Sequence, residues 1–140
     1  MLQAQYKDLL QHPDIRFDQP ENGAYIEVKD AATHDTLAWV KSHDRASVEQ
    51  VIARSQKAQT AWKAQTALQR ADVLWAWFDL MQENKESLAQ ILTAEQGKPL
   101  AEARGEIGYA ASFIRWFAEQ ARRIDGEVLI GSTLCYDPKR

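Results

Sequence analysis

Leu92-Thr93-Ala94-Glu95-Gln96-Gly97-Lys98-Pro99 separates two helical patterns, and the rest of the chain is read outward from it. Before it, Leu88, Ile91 and Leu92 recur at the three- and four-residue spacing of one helix face. Gly97 suits the left-handed residue that closes a helix, and Pro99, without an N–H, stops it from continuing. After it, Ile107, Ala110, Ala111, Ile114, Phe117, Ala121 and Ile124 form the expected buried stripe of a last helix, which ends before Asp125-Gly126.

Toward the N-terminus, Leu68, Ala71, Leu74, Trp75, Phe78 and Met81 predict another helix, broken near Asn84. Earlier still, Asp44 is placed to cap a helix whose apolar face carries Val48, Val51, Ile52, Ser55, Ala58 and Trp62. Trp77 falls off the Trp75 stripe and Trp116 sits beside Phe117, so these helices carry apolar surface on a second side that needs its own partner. Upstream of Asp44 the character changes: Pro13, Pro20 and Gly23 interrupt the chain, whereas residues 46 to 125 hold a single proline. Ile15 and Phe17 suit a first short strand. Ala24, Ile26 and Val28 alternate with Tyr25, Glu27 and Lys29 on a second, and Thr36-Leu37-Ala38-Trp39-Val40 makes a third after the turn-like Asp30 to Asp35. An antiparallel meander is expected there, and Glu127-Val128-Leu129-Ile130 is a candidate strand near the other end.

The expected organisation is therefore an irregular segment with short strands over 1–45, a helical segment over 46–126, and a strand start with a loose tail over 127–140. The fold class is α+β, mainly helical: short N-terminal antiparallel strands followed by three to four long helices.

Composition narrows the function. The chain is 45% hydrophobic and 26% charged, an ordinary globular balance, and its net charge of −3 offers no basic stripe for nucleic acid. No apolar run approaches the roughly 20 residues of a membrane helix, and the first residues lack a signal peptide's basic start and apolar middle. A cytoplasmic protein is expected. The single cysteine, Cys135, forms no internal disulfide, in keeping with a reducing compartment.

Few residues suggest chemistry. Cys135 has no neighbouring base in sequence and reads as an inert thiol. His12, His34 and His43 lie too far apart for the short fixed spacings of zinc ligands and read as surface residues. Gly97-Lys98 is not a phosphate loop, because Leu92 stands where that motif needs glycine and Pro99 where it needs Ser or Thr. No Gly-x-Gly-x-x-Gly occurs; Gly105 and Gly108 are read as allowing close helix packing. Glu102 and Glu106, with Arg104 between them, are better read as a solvated helix face than as paired acid–base carboxylates. No catalytic residue is assigned.

The block Leu92 to Pro99, followed by Ala101-Glu102-Ala103, Gly105-Glu106 and Ala110-Ala111-Ser112-Phe113-Ile114-Arg115-Trp116-Phe117-Ala118, resembles the aldehyde dehydrogenase superfamily, above all its bacterial succinate-semialdehyde dehydrogenase branch. The likeness runs from about Tyr25 to Leu129 and takes in Ala61-Trp62 and Arg70. Residues 1–23 match poorly, with Asp14-Ile15-Arg16-Phe17 near the family's usual Asn-Gly-x-Trp hairpin. Members oxidise aldehydes with NAD or NADP through a thiohemiacetal on a cysteine, using a glutamate base and an asparagine-lined oxyanion hole. The resemblance places those parts, and the nucleotide-binding strands, after this stretch, so Cys135 is not that nucleophile.

What the resemblance implies is an incomplete piece of the aldehyde dehydrogenase α/β fold: an N-terminal fragment of an NAD(P)-dependent succinate-semialdehyde dehydrogenase. It is expected to be inactive alone and to bind no cofactor by itself. The implied partner of the parent enzyme is a small semialdehyde, with self-association or a homo-oligomer expected for the chain. By position, Tyr109 and Phe113 resemble residues lining the tunnel that leads aldehyde to the cysteine. Glu95 and the strand at Val28 resemble part of a structural site for sodium or potassium, whose oxygen-only ligation suits a hard cation. The alternative is a non-catalytic helical interaction module derived from that family.

Overall fold

Residues 4–126 are described by a computed structural model of the chain. The elements are α1 (Ala4–Leu9), β1 (Ile15–Arg16), β2 (Tyr25–Lys29), β3 (Thr36–Lys41), α2 (Arg45–Ala64), α3 (Ala67–Glu83), α4 (Lys85–Gln96) and α5 (Leu100–Gln120). The strand expected at Glu127-Val128-Leu129-Ile130, the 127–140 tail and Cys135 lie outside the described residues.

Local chemistry fixes the helix ends. The Asp44 carboxylate accepts the Ser47 N–H at 2.8 Å, satisfying one of the donors that every helix N-terminus leaves free. Thr66 and Gln69 form a reciprocal capping box at the start of α3. Asn84 stands at the junction of α3 and α4, its side-chain amide donating to the Leu80 carbonyl at 2.9 Å. Gly97 closes α4 at φ 74°, with its N–H on the Thr93 carbonyl at 2.8 Å. A methyl at Gly97 would also come within 3.0 Å of the Ala31 Cβ, so this position needs glycine for both its backbone angle and its space.

The three strands form an antiparallel sheet in the order β1-β3-β2. This corrects the expected meander, in which β2 would lie centrally. β2 and β3 make a hairpin through a turn in which the Asp30 carboxylate accepts the N–H groups of Ala32 and Thr33 at 2.8 and 3.0 Å. The segment from β1 to β2 contains Pro20 and a positive-φ Gly23 rather than a tight two-residue turn, so β1 crosses to the free edge of β3. There Ile15 pairs with Val40, and the Lys41 N–H donates to the Asp14 carbonyl at 2.9 Å.

Buried Leu37 on β3 carries Leu10, Ile91 and Ala94 against it, which ties the sheet to α4. The Ala31 N–H adds a hydrogen bond to the Ala94 carbonyl at 2.9 Å. α1 lies within the segment expected to be irregular, and its contacts with α4 account for it better than its short sequence does.

α5 packs along α3 and α4, and the interior of this helical layer is alanine. Ala71 of α3, Ala89 of α4, and Ala103, Ala111 and Ala118 of α5 are all at most 1% exposed. Among the described residues no larger side chain is fully buried. The expected α5 stripe is corrected accordingly, since Ala110 is exposed, Phe117 is 58% exposed and Ile124 is 75% exposed. Small side chains let helix axes approach closely, so the seam selects for size, and the bulkier apolar residues turn elsewhere. Neither glycine of α5 serves the close backbone packing expected of it. A methyl at Gly105 would meet nothing, and one at Gly108 would meet only the flexible end of Lys85. The apolar face of α2 lies as expected in sequence, yet no residue of α2 is buried and Val48, Val51 and Ile52 are exposed.

Candidate functional site

α5 positions the two aromatic candidates. Tyr109 and Phe113 lie one turn apart with ring centroids 4.8 Å from each other in an edge-to-face arrangement. That geometry matches the favoured approach of two ring quadrupoles. Both are exposed, so they present a paired aromatic surface outward from the alanine seam. Continuing along the same side, Phe113, Trp116 and Phe117 line a groove of about 370 Å³, with Arg115 and Glu119 also at its wall. All of its lining residues belong to α5, so it is an open surface along one helix rather than an enclosed pocket.

Glu95 and Val28 come together at a second place. They share the wall of a cavity of about 160 Å³ between the sheet, α1 and α4, where Leu10, Ile15, Leu37 and Ile91 supply aliphatic surface. Glu95 provides the one carboxylate there. A hard cation needs six or so oxygen ligands, and the Ala94 carbonyl already accepts the Ala31 N–H. The described residues alone do not complete such a shell, and among them no group of three or more His, Cys, Asp or Glu residues is arranged for a metal ion.

The charged residues of α5 act as clasps. Arg104 donates two hydrogen bonds to Glu86 of α4, at 2.7 and 2.8 Å, in the bidentate geometry that a guanidinium and a carboxylate favour. Those bonds, helped by the Gln90 amide, hold the Glu86 carboxyl down at about 2 from an ordinary 4.5, and they raise Arg104 in turn. Glu106 pairs with Lys98, beside the α4–α5 junction. Glu102 is solvent-exposed one turn before Glu106.

His43 lies 3.3 Å and His12 3.8 Å from the Asp14 carboxylate, at the end of β1, and His34 holds a positive φ in the β2–β3 turn. The clasps escaped sequence reading because Glu86 and Arg104 are far apart along the chain, and their pairing depends on how two helices cross. The outward stripe was readable in principle, since Tyr109, Phe113, Trp116 and Phe117 follow a helical repeat of their own.

The sheet is wholly antiparallel, so the described residues contain no strand–helix–parallel-strand unit able to lay a pyrophosphate on a helix N-terminus. The described residues do not fit a nicotinamide dinucleotide.

The described residues form a helical layer on a small sheet, with aromatic side chains of α5 exposed on its outer side. The aldehyde dehydrogenase family pattern matches residues 17–138, and the chain belongs to that family. It is 49% identical over 111 residues to a glutarate-semialdehyde dehydrogenase of Pseudomonas aeruginosa, covering 79% of this chain and 23% of that protein. It is 47% identical over 110 residues to an NADP-dependent succinate-semialdehyde dehydrogenase of Escherichia coli, again covering 79% and 23%. Among solved structures, a succinate-semialdehyde dehydrogenase from Burkholderia pseudomallei superposes with a TM-score of 0.75 at 48% identity, covering 79% of this chain and 23% of the other. The chain thus spans about a quarter of the length of these relatives, and its mainly helical α+β architecture is a corresponding piece of the aldehyde dehydrogenase fold.

Proposed function

We propose that this chain supplies the N-terminal scaffold of an NAD(P)-dependent semialdehyde dehydrogenase whose reaction converts succinate semialdehyde to succinate, and that the 140 residues are inactive by themselves. The observation that carries this reading is the near-half identity to semialdehyde dehydrogenases over four-fifths of the chain, confined to about a quarter of their length. In this reading Tyr109 and Phe113 form part of the wall along which the aldehyde reaches the reacting centre, and their outward edge-to-face pair suits that role. Glu95 and the Val28 strand contribute part of a monovalent-cation shell that further chain completes. The segments 1–45, 46–126 and 127–140 are proposed as its structural units, and the cytoplasm as its location. No helix of the described residues is long and apolar enough to cross a membrane.

A second substrate reading is favoured by the 49% identity to the Pseudomonas aeruginosa enzyme: glutarate semialdehyde, one methylene longer. Both aldehydes carry a terminal carboxylate. Of the two arginines of α5, Arg115 lies beside the aromatic side chains, but it also lies 3.7 Å from Glu119.

The test is direct. Purified chain supplied with succinate semialdehyde and either NAD or NADP is expected to form no reduced nicotinamide by absorbance, and steady turnover would overturn the proposal. The competing reading, a free-standing interaction module, predicts a monomer with sharp near-ultraviolet circular dichroism. The scaffold reading predicts weak aromatic signals and self-association, because large apolar faces lack cover.

A further inference from the structure

We propose that Asn22-Gly23, in the exposed segment between β1 and β2, is a site of spontaneous deamidation, and that its conversion to isoaspartate loosens the start of β2.

The chain has two asparagines, and glycine follows one of them. Asn22 and Gly23 are exposed and lie outside every helix and strand. Among the described residues no hydrogen bond engages the Asn22 carboxamide or the Gly23 N–H, so both reacting groups are open to water. Gly23 holds φ 102°, a conformation that side chains resist, and without a Cβ it leaves its own nitrogen unscreened. An open hollow of about 320 Å³ takes in Asn22 together with Arg16, Asp18, Glu21 and Tyr25, so charged groups of both signs keep the segment hydrated.

Comparable carboxamides elsewhere are held. The Asn84 side chain donates to the Leu80 carbonyl at 2.9 Å, its backbone carbonyl accepts the Leu88 N–H at 2.9 Å, and lysine follows it. Gln96-Gly97 is the other carboxamide–glycine pair, but its longer side chain would have to close a larger ring. The Gly97 N–H is also already donated to the Thr93 carbonyl at 2.8 Å.

The chemistry needs only water. The Gly23 nitrogen gives its proton to solvent and attacks the Asn22 Cγ; the new bond closes a cyclic imide, and the bond from Cγ to Nδ2 breaks to release ammonia. Water then opens the imide. Opening at Cγ yields aspartate, whereas opening at the main-chain carbonyl leaves Gly23 joined through Cγ, as isoaspartate. Either product adds one carboxylate and takes the formal net charge from −3 to −4. Only isoaspartate lengthens the main chain, by one carbon. Ala24 follows at once, and its carbonyl accepts the Ser42 N–H at 2.8 Å just before Tyr25 pairs with Lys41. That bond is the first that a longer chain displaces.

The experiment incubates the 140-residue chain at mildly alkaline pH and maps it by mass spectrometry, with electron-transfer fragmentation separating isoaspartate from aspartate. A gain of a single dalton is expected on Asn22, at a rate within roughly threefold of that in an unstructured peptide of the same local sequence, because exposed loops open at almost no cost. Asn22→Gln should abolish it. After conversion, amide exchange at Ser42 should quicken by roughly fivefold, the worth of one net hydrogen bond. Asn22→Asp adds the charge without lengthening the chain and should leave Ser42 unchanged. An intact Asn22 once the peptide has converted overturns the assignment, as does equal conversion of Asn84. Ser42 exchange that ignores isoaspartate, or that quickens equally in Asn22→Asp, overturns the effect on β2.

Discussion

Ala111→Leu places three additional carbons at a position with 0% exposure, in a layer where α5 lies against α3 and α4. Alanine and leucine are close in helix propensity, so the change barely alters the intrinsic stability of α5. The cost must come from overpacking, about 1–3 kcal/mol for inserting methylenes into a filled interior. For a chain of this size each kcal/mol shifts the midpoint by about 4 °C, so thermal unfolding should move down by about 4–12 °C. Ala110→Leu is the matched control: the same substitution one residue earlier, on an exposed position, with an expected change within about 0.5 kcal/mol. Far-ultraviolet circular dichroism during heating, repeated in urea to check for an unchanged slope, measures both variants. Equal midpoints for the two would refute the alanine seam, since helix propensity alone does not tell these positions apart.

Gly97→Ala should lose about 1–2 kcal/mol, because alanine resists φ 74° and its methyl would lie 3.0 Å from the Ala31 Cβ. Amide hydrogen exchange should show it first at Ala31, whose N–H bonds the Ala94 carbonyl. The Glu86–Arg104 pair predicts a pH effect of defined sign. The folded Glu86 pKa is depressed, so its contribution is present above the unfolded value near 4.5 and is lost as pH falls toward about 2. The urea midpoint should decline through that window, and Glu86→Gln should reduce the slope. Asp30, Asp44 and Glu27, lowered by their own hydrogen bonds, keep part of it. Added salt should shrink the Glu86 share, because the pair is solvent-exposed.

Elements whose limits are set by neighbouring residues were legible in the sequence. Asp44 and Gly97 mark helix ends through bonds to residues three or four away, and the Asp30–Asp35 turn closes a hairpin within its own length. Strand order was not legible, because the alternation in Ile15–Arg16 is the same whichever edge it joins, and only β3's open side settles that. The α5 seam was misplaced for a different reason. Alanine carries a weak hydropathy signal, so Phe117 and Ile124 outweighed Ala103 and Ala118 in a pattern that ranks residues by greasiness rather than by size. Of the candidate site, Tyr109, Phe113, Glu95 and Val28 came from family resemblance. Their composition and spacing would equally suit core aromatics or a helix-end carboxylate.

The unequal surroundings of the five tryptophans give the chain a built-in optical reporter. Trp39, Trp62 and Trp75 are half-buried, Trp75 with its ring edge-on to Phe78 at 5.7 Å, while Trp77 and Trp116 stand in solvent at 55% and 57% exposure. Indole emission shifts to the blue as water leaves the ring. The colour of the unlabelled protein should therefore record the moment those two rings become covered, while emission from the other three stays nearly constant.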